Sequence, residues 1–226
     1  MQANYTISEE NYLKSVYHLQ QQGNKVTTGE LSRHLHTKPA SVTDMMKKLQ
    51  VKKLLIYTPY HGFRLSKAGS TAAVNIIRRH RLWEFFLAEK LNFGWDEVHE
   101  MAEHLEHISD PRLIDKLDAF LNYPRFDPHG DPIPDKNGNM IYEKRLKLQD
   151  AAPGTAADIC AVTRQDNVLL EMMLQKGLQI GTRVEVKKRF EYDNSVELKI
   201  NGGRTIHISD KMAGEILCKP VKHKRS

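Results

Sequence analysis

The chain has 226 residues, 40% of them hydrophobic, which suits one large domain or two to three small ones. No run approaches the roughly 20 apolar residues of a membrane span, and the first residues lack the features of a secretion signal, which favours a cytoplasmic protein. Only Cys160 and Cys218 are present, which argues against a disulfide framework or a thiolate zinc site. The net charge of +6, to which the basic tail Lys222, His223, Lys224 and Arg225 contributes, favours an anionic partner.

The first 65 residues predict three helices followed by a hairpin. Two capping-box spacings, Thr6 with Glu9 and Thr27 with Glu30, mark the first two helix starts. The third helix begins near Pro39, a residue common in the first turn. Two short extended runs follow, over residues 54–57 and 63–65, with a turn-prone stretch between them. This order of elements is that of a winged helix-turn-helix.

The exposed face of the third helix suits DNA recognition. In a winged helix-turn-helix this helix enters the major groove, and the hairpin lies along the phosphates. Ala40 and the Thr43 methyl can contact thymine methyls, while Lys47 and Lys48 can neutralise phosphates. The alternative is a structural three-helix unit with a solvated basic face. The predicted DNA-binding residues are Thr28, Lys38, Pro39, Ala40, Ser41, Thr43, Lys47, Lys48, Tyr60, His61 and Arg64.

Three more helices are predicted, over residues 66–91, 95–107 and 111–121. Together they carry more hydrophobic surface than a small winged helix can cover. We therefore expect a packed helical layer that also forms a homodimer interface. A two-fold dimer would present two reading helices to a palindromic DNA site.

Residues able to bind a metal line one side of the predicted helix over 95–107. They fall within an arc of roughly 100° and are His99, Glu103, Glu106 and His107. His80 and Glu84 stand one turn apart on the preceding helix, so the two helices together offer imidazole and carboxylate to a divalent ion. The alternative is an ordinary solvated face, and the three arginines within 78–81 are near enough to pair with Glu84. Against it, residues 92–110 contain no Lys or Arg, which leaves these acidic groups without an evident protein cation.

The last third of the chain changes character. Residues 122–144 are rich in Pro and Gly, which predicts a linker or an irregular domain edge. Beyond it, extended runs over 182–186, 196–200 and 205–208 predict a five-stranded, SH3-like β-barrel with one helix near 167–176. The expected fold is mainly α with a small β part. Its expected domains are a winged helix-turn-helix (1–68), a helical metal-binding and dimerisation domain (69–122), a linker (123–145) and an SH3-like domain with a basic tail (146–226).

Several segments together resemble the diphtheria toxin repressor family of metal-dependent regulators, which has iron-dependent and manganese-dependent members. The resemblance covers essentially the whole chain and implies that residues 146–226 form a FeoA-like domain. The segments that carry it are Glu10-Asn11-Tyr12-Leu13 with Tyr17, Arg79-His80-Arg81-Leu82 with Glu84, Val98-His99 through Glu103, Glu106 and His107, and Pro128-His129-Gly130-Asp131-Pro132-Ile133-Pro134.

The resemblance implies two metal sites. One would use Asn11, Glu103, Glu106 and His107. The other, ancillary site would use His80, Glu84 and His99, with Asp166 from the C-terminal domain, although His80 fits either site.

Three positions depart from one branch of the family or the other. Asn11 stands where the family usually has Met or Asp, and Glu103 stands where iron-type members have Cys and manganese-type members a carboxylate. Lys14 falls where manganese-type members carry Glu, which argues against a closely spaced binuclear site. Oxygen and imidazole donors without a thiolate suit Mn(2+) or Fe(2+) better than copper.

The expected function is that of a metal-activated, DNA-binding transcriptional repressor, not an enzyme. It would sense intracellular Mn(II) or Fe(II), bind palindromic double-stranded operator DNA as a homodimer and control metal-uptake genes. A metal-dependent hydrolase is one alternative, since Glu and His clusters also activate water, but no HExxH or GxSxG motif accompanies them. The other alternative is a winged-helix regulator with a non-metal ligand or a protein partner.

Overall fold

The computed structural model describes residues 5–23 and 25–221, so the basic tail over 222–225 lies outside the described residues. The chain forms two compact units. The first comprises residues 1–80, 103–117 and 134–140, and the second comprises 81–102, 118–133 and 141–226. Within the described residues, no helix is both long and apolar enough to cross a membrane.

The first unit contains the predicted winged helix-turn-helix. Both capping boxes are present, because Thr6 and Glu9, like Thr27 and Glu30, exchange hydrogen bonds between side chain and backbone. Its core is built from fully buried apolar residues such as Leu13, Leu31 and Met46. Its elements are α1 (Ile7–Gln21), α2 (Thr28–His34), α3 (Pro39–Val51), β1 (Leu55–Thr58), β2 (Gly62–Leu65) and the start of α4 (Lys67–Leu91).

The next two helices are shorter than predicted. They are α5 (Val98–Leu105) and α6 (Pro111–Phe120). The prediction of one helix over 95–107 was wrong at both ends: the amide of Gly94 binds the Glu97 carboxylate in a turn before α5, and Glu106 and His107 lie in a turn after it. A proline at the start of α6 favours an extended residue before it, so the chain leaves the helical conformation between α5 and α6.

The second unit contains an antiparallel sheet with strand order β3-β8-β4-β5-β6-β7. The predicted count of five strands and one helix for the last part of the chain was wrong, since residues 146–220 form six strands and two α-helices. The two-residue β3 is too short to show alternation, and β8 follows α8 directly. The elements are β3 (Leu146–Lys147), a 3-10 turn (Leu148–Asp150), β4 (Ala156–Val162), α7 (Asn167–Lys176), β5 (Arg183–Arg189), β6 (Val196–Ile200), β7 (Thr205–Ile208), α8 (Asp210–Glu215) and β8 (Ile216–Pro220).

Candidate metal centres and DNA-binding surface

Seven polar side chains of the first unit form a group that we call the Glu106 cluster. Glu106 is fully buried, and both of its carboxylate oxygens accept hydrogen bonds from the Lys14 ammonium, at 2.7 and 2.8 Å. Its Oε2 also lies 2.6 Å from His80 Nδ1. On the other side, His107 Nδ1 lies 2.6 Å from Glu10 Oε2. The members are Glu10, Lys14, Arg79, His80, Glu103, Glu106 and His107.

Protein cations neutralise the carboxylates of this cluster. Arg79 donates to Glu10 Oε1 at 2.6 Å, and Lys14 Nζ stands 3.6 Å from Glu103 Oε1. Burial alone would raise the pKa of Glu106, but its interactions with His80 and Lys14 outweigh burial and lower that pKa. Glu106 is therefore ionised at neutral pH although no part of it reaches solvent.

The cluster brings together most of the residues predicted for one metal site and adds four others, Glu10, Lys14, Arg79 and His80. Glu103, Glu106 and His107 are present, while the neighbour of Asn11, Glu10, is the α1 residue that reaches His107. The inference that no protein cation lies near these acids was wrong, since Lys14 pairs with the Glu106 carboxylate and Arg79 donates to the Glu106 carbonyl. Both residues lie far from residues 92–110 in the sequence, so inspection of that segment alone could not find them. The spacing of Glu10 and Lys14 places them on one face of α1, which is a signal that sequence inspection could have used.

The second unit contains another group, which we call the His129 cluster: Glu84, His99, Asp127 and His129. Ligand atoms of Glu84, Asp127 and His129 lie within 4.8 Å of one another, and all three side chains are buried. Glu84 Oε1 is 3.1 Å from His99 Nδ1 and 3.6 Å from His129 Nδ1. Sequence analysis predicted Glu84 and His99 but missed Asp127 and His129.

The ring of His129 is oriented by a backbone contact. Its Nε2 lies 2.6 Å from the carbonyl oxygen of Trp95, and the two rings stack at 6.1 Å. An Nε2 proton donated to this carbonyl directs Nδ1 toward Glu84, and such second-sphere bonds commonly orient metal-binding histidines. His129 Nδ1 and Asp127 Oδ2 are buried atoms with no hydrogen-bond partner among the described residues.

Burial and like charges disturb the ionisation of this cluster. Burial, Glu84 and Asp131 raise the pKa of Asp127 to about 8, although Arg81, whose Nε is 3.4 Å from Asp127, opposes the rise. Burial lowers the pKa of His129, but the nearby Glu84 and Asp127 carboxylates outweigh it and raise that pKa to about 8. Without a further cation, the cluster therefore retains protons that a metal ion would displace.

A tight turn holds Asp127 and His129 in place. Asp127 Oδ1 accepts hydrogen bonds at 2.9 Å from the amides of His129 and Asp131. Gly130 has a φ of +86°, and a Cβ on it would stand 2.0 Å from the Cys160 carbonyl oxygen. Only glycine fits at this position, so Gly130 allows the turn that places Asp127 and His129 beside Glu84. All three residues belong to the segment that was predicted as a linker.

The remaining predicted metal-binding residues have contacts of their own. Asp166 caps α7 by accepting from the Leu169 amide at 3.1 Å, and it pairs with Arg164 at the same distance. Its role as a metal ligand stays a prediction, as does the assignment of His80 to the ancillary site. The three arginines next to His80 were considered as partners of Glu84, but their ion pairs are with other carboxylates. Arg78 pairs with Asp115, Arg79 with Glu10, and Arg81 with Asp127 and Asp131.

Most predicted DNA-binding side chains are exposed on α3 and the hairpin. Pro39 occupies the first turn of α3, and the N-cap residue Lys38 makes no side-chain hydrogen bond to the amides of that turn. Thr43 donates its hydroxyl proton to the Pro39 carbonyl at 2.9 Å. Thr28 and Thr43 are half-buried, whereas Lys38, Pro39, Ala40, Ser41, Lys47, Lys48, Tyr60, His61 and Arg64 are exposed.

Ion pairs between buried Glu9 and two exposed lysines join α1 to α3 and the residue after it. Glu9 is fully buried, and its Oε1 stands 3.1 Å from Lys48 Nζ and 2.6 Å from Lys52 Nζ. Burial alone would raise the pKa of Glu9, but Lys52, the Thr6 backbone and Lys48 together lower it to about 2. Part of the Lys48 charge that sequence analysis reserved for DNA is therefore used within the protein.

Three domain families match consecutive parts of the chain. Residues 5–63 match "Iron dependent repressor, N-terminal DNA binding domain", and residues 66–135 match "Iron dependent repressor, metal binding and dimerisation domain". Residues 146–220 match the FeoA domain.

Sequence relatives point the same way. The chain is 33% identical over 115 residues to an uncharacterized HTH-type transcriptional regulator of Methanocaldococcus jannaschii, covering 50% of this chain and 92% of the relative. It is 23% identical over 222 residues to the diphtheria toxin repressor of Corynebacterium diphtheriae, covering 92% and 94%. The match to the iron-dependent repressor IdeR of Mycobacterium tuberculosis, 28% identical, covers 55% of this chain and 54% of that protein. The match to a probable metal transport system membrane protein of Chlamydia trachomatis, 38% identical over 86 residues, covers 38% of this chain and 19% of that protein.

Solved structures share the whole fold. A manganese-dependent transcriptional repressor in complex with manganese superimposes with a TM-score of 0.86 at 29% identity, covering 94% of this chain and 100% of the other. ScaR with bound Zn2+ gives a TM-score of 0.77 at 32% identity, covering 94% and 99%. The fold is that of a winged-helix protein, and its two clusters contain carboxylates and imidazoles, the side-chain types that bind divalent ions. The chain belongs to the diphtheria toxin repressor family of metal-dependent regulators.

Proposed function

We propose that this chain is a metal-activated transcriptional repressor that binds operator DNA as a homodimer. Mn(2+) or Fe(2+) would be the activating ion, and metal-uptake genes would be the targets. Relatives named for iron or manganese dependence support this proposal. The observation that carries it is the direct contact of α1 with residues 103–107, through Lys14 with Glu106 and Glu10 with His107, in the unit that holds the DNA-binding helices.

The residues of both clusters suit a hard or borderline divalent ion. Glu10, Glu103, Glu106 and His107 would hold it in the Glu106 cluster, and Glu84, Asp127 and His129 in the His129 cluster. Carboxylate and imidazole donors without thiolate match the preferences of Mn(2+) and Fe(2+). When bound, such an ion supplies positive charge that draws carboxylates and imidazoles from separate segments toward one point.

Coupling to DNA follows from where the ligands lie. Glu9 and Glu10 are consecutive residues of α1. Glu10 pairs with His107, whereas Glu9 pairs with Lys48 of α3 and with Lys52, the residue directly after α3. A change in the position of α1 relative to residues 103–107 would therefore be transmitted to α3 through the contacts of Glu9 with Lys48 and Lys52. By thermodynamic linkage, operator DNA must raise metal affinity by the factor by which metal raises DNA affinity.

The test is DNA binding with and without metal. The metal-loaded protein would first select its operator from a random duplex library, and its affinity would then be measured with MnCl2 or with a chelator. We expect the double variant Glu106→Ala, His107→Ala to lose metal-stimulated binding. The matched control is Glu100→Ala, His104→Ala, which removes the same residue types from exposed positions of α5.

Two outcomes would contradict the proposal. One is undiminished stimulation in the Glu106, His107 variant while it remains a folded dimer by sedimentation. The other is equal operator affinity of the unaltered protein with manganese, with ferrous iron and with chelator. Metal analysis of the purified chain separates a regulator with an organic ligand from a metal-dependent one.

A further inference from the structure

We propose that Lys14 is a built-in cation of the Glu106 cluster: its ammonium stays between Glu103 and Glu106, so that the cluster accepts one divalent ion and not two. This inference rests on the proposed function, since it assumes that the cluster binds metal. It concerns how many ions the cluster takes, which neither the fold nor the family matches specify.

The ammonium of Lys14 lies between two carboxylates. Lys14 Nζ is 2.7 and 2.8 Å from the two oxygens of Glu106, so the carboxylate contacts the ammonium with both oxygens. Carboxylates also bind metal ions in this bidentate way. Glu103, three residues earlier and on the same side of the chain, adds an oxygen at 3.6 Å. The ammonium therefore takes up the space between the two carboxylates.

Burial makes this ion pair costly to disrupt. The Lys14 side chain is 13% exposed and Glu106 is not exposed at all. Removing the ammonium would leave a buried carboxylate without its main cation, and a lone buried charge is strongly destabilising. An arriving ion that took over both oxygens of Glu106 would leave the ammonium of Lys14 with the more distant Glu103 oxygen, at 3.6 Å, in place of its two close contacts. An ion held through Glu10, His107 and one side of Glu106 leaves Lys14 in place.

The net charge of the cluster also favours a single divalent ion. Glu10, Glu103 and Glu106 contribute three negative charges, and Lys14 and Arg79 two positive ones, so the cluster carries one net negative charge with neutral histidines. One divalent ion brings the net charge to +1, whereas two would bring it to +3 in largely buried surroundings. Replacing Lys14 with Glu changes the starting charge to −3, and two divalent ions then bring it to +1.

The test counts manganese ions in the full chain with the other cluster disabled by Glu84→Gln and His129→Ala. Equilibrium dialysis against MnCl2 gives the stoichiometry, and electron paramagnetic resonance distinguishes an isolated Mn(2+) from a spin-coupled pair. In this background we expect one isolated ion per chain. Adding Lys14→Glu should give two coupled ions, whereas Lys14→Arg, which keeps the charge, should give one. Lys67→Glu, the same charge change at an exposed position at the start of α4, should also give one.

Lys14→Gln provides a second measurement in case Lys14→Glu does not fold. It removes the positive charge without adding a ligand, so we expect Mn(2+) to bind about tenfold more tightly while the metal-free protein melts at a lower temperature. One ion in a folded Lys14→Glu variant, unchanged manganese affinity in Lys14→Gln, or two ions already in the background would overturn the inference alone. Failure of both the background and the unaltered chain to bind any manganese would instead overturn the proposed function.

Discussion

The two ligand clusters differ in how their carboxylates are neutralised. In the Glu106 cluster, Lys14 and Arg79 bond to the carboxylates directly, and the pKa of Glu106 is lowered. In the His129 cluster, two buried carboxylates face an imidazole, and the pKa of Asp127 is raised to about 8 although Arg81 and His129 oppose the rise. The charges of the Glu106 cluster are thus balanced without a metal ion, whereas the His129 cluster binds protons because too little positive charge from the protein faces its carboxylates. We therefore expect the His129 cluster to bind a divalent ion more tightly.

The largest expected effect compares the two clusters directly. Glu84→Gln with His129→Ala should weaken the tightest Mn(2+) binding by on the order of 100-fold or more, because two of its three buried ligands are lost. Glu106→Gln with His107→Ala should leave that tight binding unchanged and remove only a weaker step. Isothermal titration calorimetry on both variants measures this. Equal losses in the two variants would mean that the clusters do not differ as described.

The turn that carries Asp127 and His129 offers a second test. Gly130→Ala should lower the free energy of unfolding by about 3 kcal/mol, because a Cβ would meet the Cys160 carbonyl oxygen at 2.0 Å in a backbone conformation that alanine rarely adopts. Gly154→Ala is the control, since its φ of +84° is similar but nothing lies within 4 Å of its Cβ position. It should cost only about 1 kcal/mol. Urea denaturation of both variants measures the two free energies of unfolding. Equal losses would show that the close approach to the Cys160 carbonyl oxygen does not matter.

Proton release should separate the clusters next. Because the pKa of His129 and of Asp127 is raised to about 8, both hold protons at pH 6 to 7 in the metal-free protein, and metal must displace them. Mn(2+) affinity at the His129 cluster should therefore rise between pH 6 and 8, by up to about tenfold per pH unit for each proton released. The Glu84→Gln, His129→Ala variant should show a flatter profile, since Glu106 is already ionised. A pH-independent affinity in the unaltered chain would contradict this.

The smallest expected effect lies outside both clusters. Glu9→Gln should lower the free energy of unfolding by about 1 to 2 kcal/mol at pH 7, a modest loss because Lys48 and Lys52 can turn to solvent. The pKa of Glu9 is lowered to about 2, so its stabilisation is complete above the unfolded pKa of 4.5 and is lost as the pH falls toward 2.

The difference between the unaltered chain and Glu9→Gln should therefore shrink on acidification. Urea denaturation at pH 7 and pH 3 measures it, with manganese affinity expected to stay within twofold. A gap that widens at pH 3 would show that the sign of the Glu9 shift is wrong.

The elements of the chain were predictable where local rules apply. The capping boxes at Thr6 and Thr27, the start of α3 at Pro39 and the span of α7 depend on residues within a few positions of one another. Helical spacing singled out Glu103, Glu106 and His107, and the family resemblance grouped them with Asn11 in one site. Helix ends near residues 94 and 106 and the two-residue β3 were missed, because turns and very short strands have weak periodicity.

Sequence alone therefore determined the order of the six helices and the hairpin in the first 120 residues, the winged helix-turn-helix and the presence of metal-capable residues. Tertiary structure alone decided which charges meet: Lys14 reaches Glu106 across 92 positions, and Glu10 reaches His107 across 97. It also placed His129 beside Glu84. The physical reason is that periodicity and capping act between near neighbours, whereas the neutralisation of a buried carboxylate depends on side chains that only long-range packing brings within a few ångströms.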